Sequence, residues 1–184
     1  MKFLKFLLII FISLTTSIKA DLNKNLMNQL EEGEKLIFIR HAYAPGSGDP
    51  SNFNLNDCST QRNLSEEGKK QAQKIGKFFT NKKIKIDKVF SSEWCRCKET
   101  AEIAFNNYST KNFLNSFYSS KYAKNKTKQI EELNNYIQKL KNSKNLVFVT
   151  HYVLISEVFN FAPSSGEIVV SDKNLNMIGS IKIN

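Results

Sequence analysis

The sequence predicts an α/β fold, a three-layer α/β/α sandwich with a mainly parallel central sheet, on three observations. Continuous apolar runs of strand length recur along the chain, segments with helical apolar spacing lie between them, and no internal repeat or low-complexity linker breaks the alternation. A run that is apolar at every position must be buried on both faces, as happens to a strand covered by helices on both sides. Strands alternating with helices imply right-handed crossovers and hence parallel neighbours. At 184 residues and 41% apolar content, the chain suits one domain with a substantial core.

The first residues read as an export signal. Lys2 and Lys5 precede the apolar run Phe6 to Leu14, and Thr and Ser then lead to Ala20, a small residue suited to cleavage. The run is about half of the roughly 20 residues a spanning helix needs, and no cysteine follows the cut to accept a lipid, so no stable membrane anchor is expected. The expected organisation is a signal peptide over 1–20 and a single domain over 21–184, in a periplasmic or secreted protein.

Leu22 to Glu34 reads as a short polar lead-in, and Lys35-Leu36-Ile37-Phe38-Ile39 as the first buried strand. Ala42 to Asn63 contains Pro45, Gly46, Gly48 and Pro50 among several Asn and Asp, and reads as a long ordered loop of the kind that often serves function. Ser65 is the N-cap expected for a helix over about 66–80, with Glu66 and Glu67 in its first turn and Ala72, Ile75, Gly76 and Phe79 at helical spacing.

A second strand is predicted over Ile84 to Phe90, followed by a helix that bears Trp94 to Phe105, while Asn106 to Lys126 stays unassigned. Thr127 is read as the cap of a helix with Ile130, Leu133, Ile137 and Leu140 on one face. Leu146 to Val149 is the third buried strand. A short helix after His151 runs to about Phe161, and Glu167 to Val170 and Asn176 to Ile183 form two strands joined by a turn.

The formal charge of +10 falls to +7 once Lys2, Lys5 and Lys19 leave with the signal. Such a basic surface attracts anions, but no basic stripe interleaved with aromatic residues and no nucleic-acid motif is present, so nucleic acid is not the expected partner. Export places the three cysteines in an oxidising compartment. On a helix Cys95 and Cys97 point to nearly opposite sides, so Cys58 is their common candidate partner. Cys97 shares its side with Trp94, Thr100, Ala101 and Ala104, which favours a Cys58–Cys95 bridge, with Cys58–Cys97 as the alternative. The cysteine spacing and the distant histidines match no zinc pattern, and no metal or cofactor is expected.

Both histidines of the chain fall at the ends of apolar strands, in Ile37-Phe38-Ile39-Arg40-His41 and Val147-Phe148-Val149-Thr150-His151. The remaining buried strand ends in Ser91-Ser92 and leads to Arg96. Ligands of open α/β sheets bind beyond the carboxyl ends of the strands, so neighbouring strands would gather His41, His151, Arg40 and Arg96 on one patch. Two imidazoles and two guanidiniums without a carboxylate make a poor metal site but a good cradle for a tetrahedral anion.

These residues resemble the histidine phosphatase superfamily, the phosphoglycerate mutase-like fold, and specifically its smaller branch. Arg40-His41 stands where that family has Arg-His-Gly, and Leu64-Ser65-Glu66-Glu67-Gly68 with Gln71-Ala72 resembles its Leu-Thr-x-x-Gly-x-x-Gln-Ala. Ser91-Ser92 through Arg96 to Thr100-Ala101 is similar to Ser-Ser-x-x-x-Arg-Ala-x-x-Thr-Ala, and Val149-Thr150-His151 to the family's second histidine after a strand. The resemblance implies that His41 attacks phosphorus and forms a phosphohistidine while Arg40, Arg96 and His151 hold the equatorial oxygens, without a metal. Ala42 and Tyr152 depart from glycines of the pattern and add bulk near the phosphate.

The proton donor is the open position. Many relatives have a Glu after the arginine block, whereas Asn106 to Ile130 contains no acid, which leaves Asp49, Asp57, Glu93 and Glu167 as candidates. Arg62 is either a further oxygen ligand or a solvated group, and Ser47, in the turn Gly46-Ser47-Gly48-Asp49, is a candidate phosphate contact. The expected substrate is a phosphorylated small molecule or a phosphorylated cell-envelope component. The competing functions are a phospho-ligand binding module on the same fold and, more remotely, a thiol or metal hydrolase; oligomeric state is not legible.

Overall fold

The computed structural model describes residues 24–141 and 143–183; the expected signal peptide over 1–20 lies outside the described residues. Its strands are β1 (Leu36–Arg40), β2 (Ile86–Ser91), β3 (Ser109–Thr110), β4 (Asn145–Thr150), β5 (Ile168–Ser171) and β6 (Met177–Ile181). They form one sheet in the order β3-β2-β4-β1-β5-β6. The pairs β3/β2, β2/β4 and β4/β1 are parallel, whereas β1/β5 and β5/β6 are antiparallel. The mainly parallel sandwich read from the sequence is the observed architecture, with an antiparallel hairpin at one edge.

The helices are α1 (24–32), α2 (Glu66–Asn81), α3 (Cys95–Phe105), α4 (Ser120–Ala123), α5 (Lys126–Gln138) and α6 (Tyr152–Phe159). Alternation along the buried strands sends successive side chains to opposite faces. Ile37, Ile39, Val147 and Val149 pack under α1, α2 and α3 through Leu30, Ile75, Phe79, Cys97 and Ala101. Leu36, Phe38, Leu146 and Phe148 pack under α5 and α6 through Leu133, Ile137, Leu154 and Ile155. The rings of Phe38 and Phe148 stack with centroids 4.9 Å apart on that second face.

Two sequence expectations need correction, and the structure assigns one region the sequence left open. The polar lead-in is α1, whose Leu26 and Leu30 are buried one helical turn apart against the sheet; its other positions are mostly polar, so the stripe is narrow. Thr127 is not a cap, because α5 starts at Lys126 with Asn125 at the cap position and no capping side chain. The unassigned region is ordered as the edge strand β3, a 3-10 turn at Asn112–Leu114 and α4. That segment is held by burial of Phe113, Leu114 and Phe117 rather than by a local period.

Close backbone approach explains the glycine of the Ser-Glu-Glu-Gly block. Ser65 caps α2 by accepting from the Gly68 amide at 3.2 Å. A Cβ on Gly68 would lie 2.0 Å from the Tyr43 carbonyl oxygen, so only glycine lets the loop after β1 lie directly on the start of α2.

Candidate active site

The register of the sheet builds the site. Arg40 pairs with Thr150 across β1 and β4, so His41 and His151 leave neighbouring strands at the same level. The His41 amide donates to the Thr150 carbonyl at 2.9 Å, and the Ser92 amide to the Val149 carbonyl at 2.9 Å, which carries the third strand end to the same edge. The two imidazole centroids are 5.5 Å apart. Both rings are buried, and Arg40, His41, Arg96 and His151 line one cavity of about 510 Å³.

The motif residues serve as a frame. Gln71 accepts from the Tyr43 amide at 2.9 Å and donates to the Ser165 carbonyl at 2.8 Å, joining the loop after β1 to the loop before β5. Thr100 Oγ accepts from the Ala42 amide at 3.0 Å and donates to the Arg96 carbonyl at 2.7 Å. The same hydroxyl therefore positions the residue after His41 and the backbone of Arg96. Ala42 and Ala72 are fully buried in one small apolar cluster with Ala44 and Leu64.

His41 Nδ1 lies 2.8 Å from the Ala42 carbonyl oxygen, which can only accept, so Nδ1 bears the proton and Nε2 keeps its lone pair. Burial, followed by the charge of Arg96, holds the His41 imidazole well below its ordinary pKa, and the same pair of causes acts on His151. Both rings are therefore neutral near pH 7. His151 Nε2 is 2.8 Å from Ser92 Oγ, which in turn donates to Asn115 Oδ1 at 3.0 Å.

Arg40 donates to the Pro163 carbonyl at 2.9 Å and lies over the Tyr152 ring at 5.7 Å. The bulk of Tyr152 is thus a wall of the cavity against the guanidinium. Arg96, 3% exposed, forms a forked pair with Asp49, at 2.7 Å to Oδ1 and 3.3 Å to Oδ2. Nε of Arg40 and Nε of Arg96 are buried without a hydrogen-bond partner, an arrangement suited to an incoming anion since buried donors seek acceptors.

The candidate acids separate clearly. Asp49 lines the cavity. Burial works to raise its pKa, but the hydrogen bond and charge of Arg96, with Trp94 and the Arg62 amide, bring it below the ordinary carboxyl value. Glu93 does not line the cavity and accepts from Asn115 Nδ2 at 2.6 Å. Glu167 is 2% exposed, also outside the cavity lining, and accepts from the Ser164 amide and the Ser180 hydroxyl. Asp57 caps the 3-10 turn Cys58–Thr60. Of the candidate acids only Asp49 lines the cavity, while Glu93, Glu167 and Asp57 are held in contacts outside its lining.

Arg62 lines the cavity and holds the loop after β1, donating to the carbonyls of Gly48, at 2.8 Å, and Ala44. Ser47 lines the cavity mouth and is exposed. Cys58 and Cys95 are joined by a disulfide, and Cys97 is a buried free thiol. The bridge fastens the long loop to the residue before Arg96. Among the described residues no cluster of three or more His, Cys, Asp or Glu side chains gathers in a way that could hold a metal, and no helix is long and apolar enough to cross a membrane.

Sequence reasoning missed the aromatic wall. Phe53 stacks on Trp94 at 5.1 Å, and Tyr122 meets Trp94 edge-on at 5.6 Å, all on the cavity beside His151. Tyr122 belongs to the region without a legible period, and Phe53 to the loop, so only chain folding brings them together. Ser92 as the support of His151 was equally hidden, although its place at a strand end was a usable signal.

Comparisons with known proteins agree with the fold. A family model described as Histidine phosphatase superfamily (branch 1) matches residues 36–115. The fold is similar to that of the protein histidine phosphatase SixA in complex with tungstate, at 16% identity and TM-score 0.56 over 78% of this chain and 92% of that one. It is also similar to TTHB049 from Thermus thermophilus, at 15% identity and TM-score 0.58 over 80% and 98%. A third likeness is to Rv3214 from Mycobacterium tuberculosis, at 14% identity and TM-score 0.55 over 74% and 90%. No curated protein sequence matches the chain. The match of that family model over residues 36–115 and the fold shared with these solved structures make the chain similar to the histidine phosphatase superfamily, branch 1.

Proposed function

We propose that the protein is an exported, metal-independent phosphatase that hydrolyses a phosphate monoester or anhydride through a phosphohistidine on His41. The observation that carries this reading is the His41 Nδ1 contact to the Ala42 carbonyl at 2.8 Å. It fixes the tautomer with the Nε2 lone pair available, in a ring held neutral by burial, beside Arg40, Arg96 and His151. A neutral imidazole is the nucleophile that in-line attack on phosphorus requires.

In the first step Nε2 of His41 bonds to phosphorus as the ester oxygen leaves with its electron pair. The guanidiniums of Arg40 and Arg96 meet the charge on the equatorial oxygens, and His151, steadied by Ser92, completes the cradle. Water then attacks the phosphohistidine, the P–N bond breaks, and phosphate departs. Positioning and electrostatics supply most of the rate in such transfers.

The cavity of about 510 Å³ with its aromatic wall favours a phosphorylated small molecule over a bulky phosphorylated envelope component, since pockets of roughly 300–1,000 Å³ suit organic ligands of that size. A disulfide is compatible with an extracytoplasmic location, and periplasmic or secreted residence remains part of the proposal. The test is a panel of phosphorylated sugars, nucleotides, lipids and phosphohistidine, comparing wild type with His41→Ala. Wild type releases phosphate and forms acid-labile, base-stable phosphoprotein, and His41→Ala does neither. Phosphate binding by both proteins with no turnover of any panel member is the signature of the binding module instead.

A further inference from the structure

We infer that Asp49 is the proton donor to the leaving group, and that substrate phosphate releases it for that task by taking its place on Arg96. The inference rests on the phosphatase reading above. Its ground is that Asp49 is the one carboxylate lining the cavity among the described residues, and it already occupies the guanidinium that the phosphate needs. A carboxylate on a guanidinium fork presents two oxygens in the geometry that a phosphate also presents.

The surroundings of Asp49 allow the exchange without moving the chain. Arg62 holds the backbone through the Gly48 and Ala44 carbonyls, and its own amide donates to Asp49 Oδ1 at 3.2 Å. Trp94 Nε1 donates to Oδ2 at 3.1 Å. Rotation of this one short side chain, which gives up its bonds to Trp94 and the Arg62 amide, vacates Arg96 while the backbone stays in place. A phosphate group with two negative charges competes well against a carboxylate with one.

Once parted from Arg96, Asp49 loses its strongest charged partner, and its burial, which already acts to raise its pKa, becomes dominant. A phosphomonoester has a second pKa near 6, so a substantial share arrives as the monoanion. Its proton passes to Asp49 as the resulting dianion settles on Arg96. The N–P bond then forms at His41 Nε2, the P–O bond to the leaving group breaks, and the Asp49 proton goes to that ester oxygen. In the second step a water oxygen bonds to phosphorus, the P–N bond breaks, and the water proton returns to the Asp49 carboxylate. Departure of phosphate and loss of that proton restore the Asp49–Arg96 pair.

The experiment compares wild type with Asp49→Asn on two aromatic monoesters of different leaving-group basicity, benzyl phosphate and 4-nitrophenyl phosphate, with inorganic phosphate affinity measured calorimetrically. For benzyl phosphate, whose alkoxide must be protonated, kcat falls about 10²–10⁴-fold, the range lost with a general acid. For 4-nitrophenyl phosphate the fall is at least tenfold smaller, and inorganic phosphate binds at least severalfold more tightly to the variant. Equal losses on both esters overturn the proton-donor role, and unchanged or weaker phosphate binding overturns the exchange on Arg96. Circular dichroism and the unfolding midpoint establish that the variant is folded. If wild type hydrolyses neither ester nor any panel member, the phosphatase reading fails and takes the donor role with it. Turnover by wild type with an unselective Asp49→Asn loss sinks the donor role alone.

Discussion

Ser92 Oγ lies 2.8 Å from His151 Nε2 and 3.0 Å from Asn115 Oδ1, so a residue just after β2 orients a ring that enters from β4. The relay ties the second imidazole to the segment after β3, and its loss leaves the buried ring only the weaker thiol contact of Cys97. Ser92→Ala is expected to lower kcat/KM about tenfold, the equivalent of roughly 1–1.5 kcal/mol for one such bond. Steady-state kinetics with an unchanged circular dichroism spectrum checks this; an undiminished kcat/KM would show that packing alone holds the ring.

The two buried histidines set the acid response of the fold. Each has a folded-state pKa well below 6.5, so below about pH 6.5 the unfolded chain binds protons that the folded protein does not. Their contribution is complete above that pH and is lost as pH falls, at up to about 1.4 kcal/mol per histidine per pH unit. Asp49, with its lowered carboxyl pKa, acts only at still lower pH, through and below the ordinary carboxyl range. Unfolding midpoints between pH 7.5 and 5 should therefore decline steeply for wild type and about half as steeply for His151→Gln.

Reduction of Cys58–Cys95 opens a loop of sequence separation 37. The expected loss is about 2–4 kcal/mol, with a matching fall in the unfolding midpoint of Cys58→Ser. Because Cys95 precedes Arg96, activity on 4-nitrophenyl phosphate should fall in parallel at temperatures where the reduced protein stays folded. An unchanged midpoint on adding dithiothreitol is the contrary result.

Gly68→Ala places a methyl group against the Tyr43 carbonyl. The methyl group, fixed by the helix, meets a backbone carbonyl and no side-chain rotation relieves the collision, so the cost should fall at the upper end of the about 1–3 kcal/mol typical of overpacking. Urea unfolding measures it, with Lys70→Ala as an exposed neighbour expected to change stability by less than about 0.5 kcal/mol.

Cys97 sits 3.5 Å from His151 Nε2, which invites a reading as a nucleophile. Burial pushes its thiol up to about 12, and a thiol without thiolate character is inert. Iodoacetamide should leave the native protein unmodified and fully active while labelling Cys97 in urea. Inactivation that tracks labelling of the native protein would revive the thiol-hydrolase alternative.

Local pattern along the chain was enough to read the layers and the four residues that converge. Runs such as Leu36 to Ile39 and Leu146 to Val149 are apolar at every position because both faces are covered, and that constraint acts residue by residue. His41 and His151 were legible as strand-end residues for the same reason. It took the folded chain to make β1 and β4 neighbours in register, to bring Phe53 and Tyr122 to the cavity wall, and to set Asp49 rather than Glu93 or Glu167 on Arg96. Those relations join residues far apart in the chain, and what fixes them is burial against a partner that no local period of the sequence encodes.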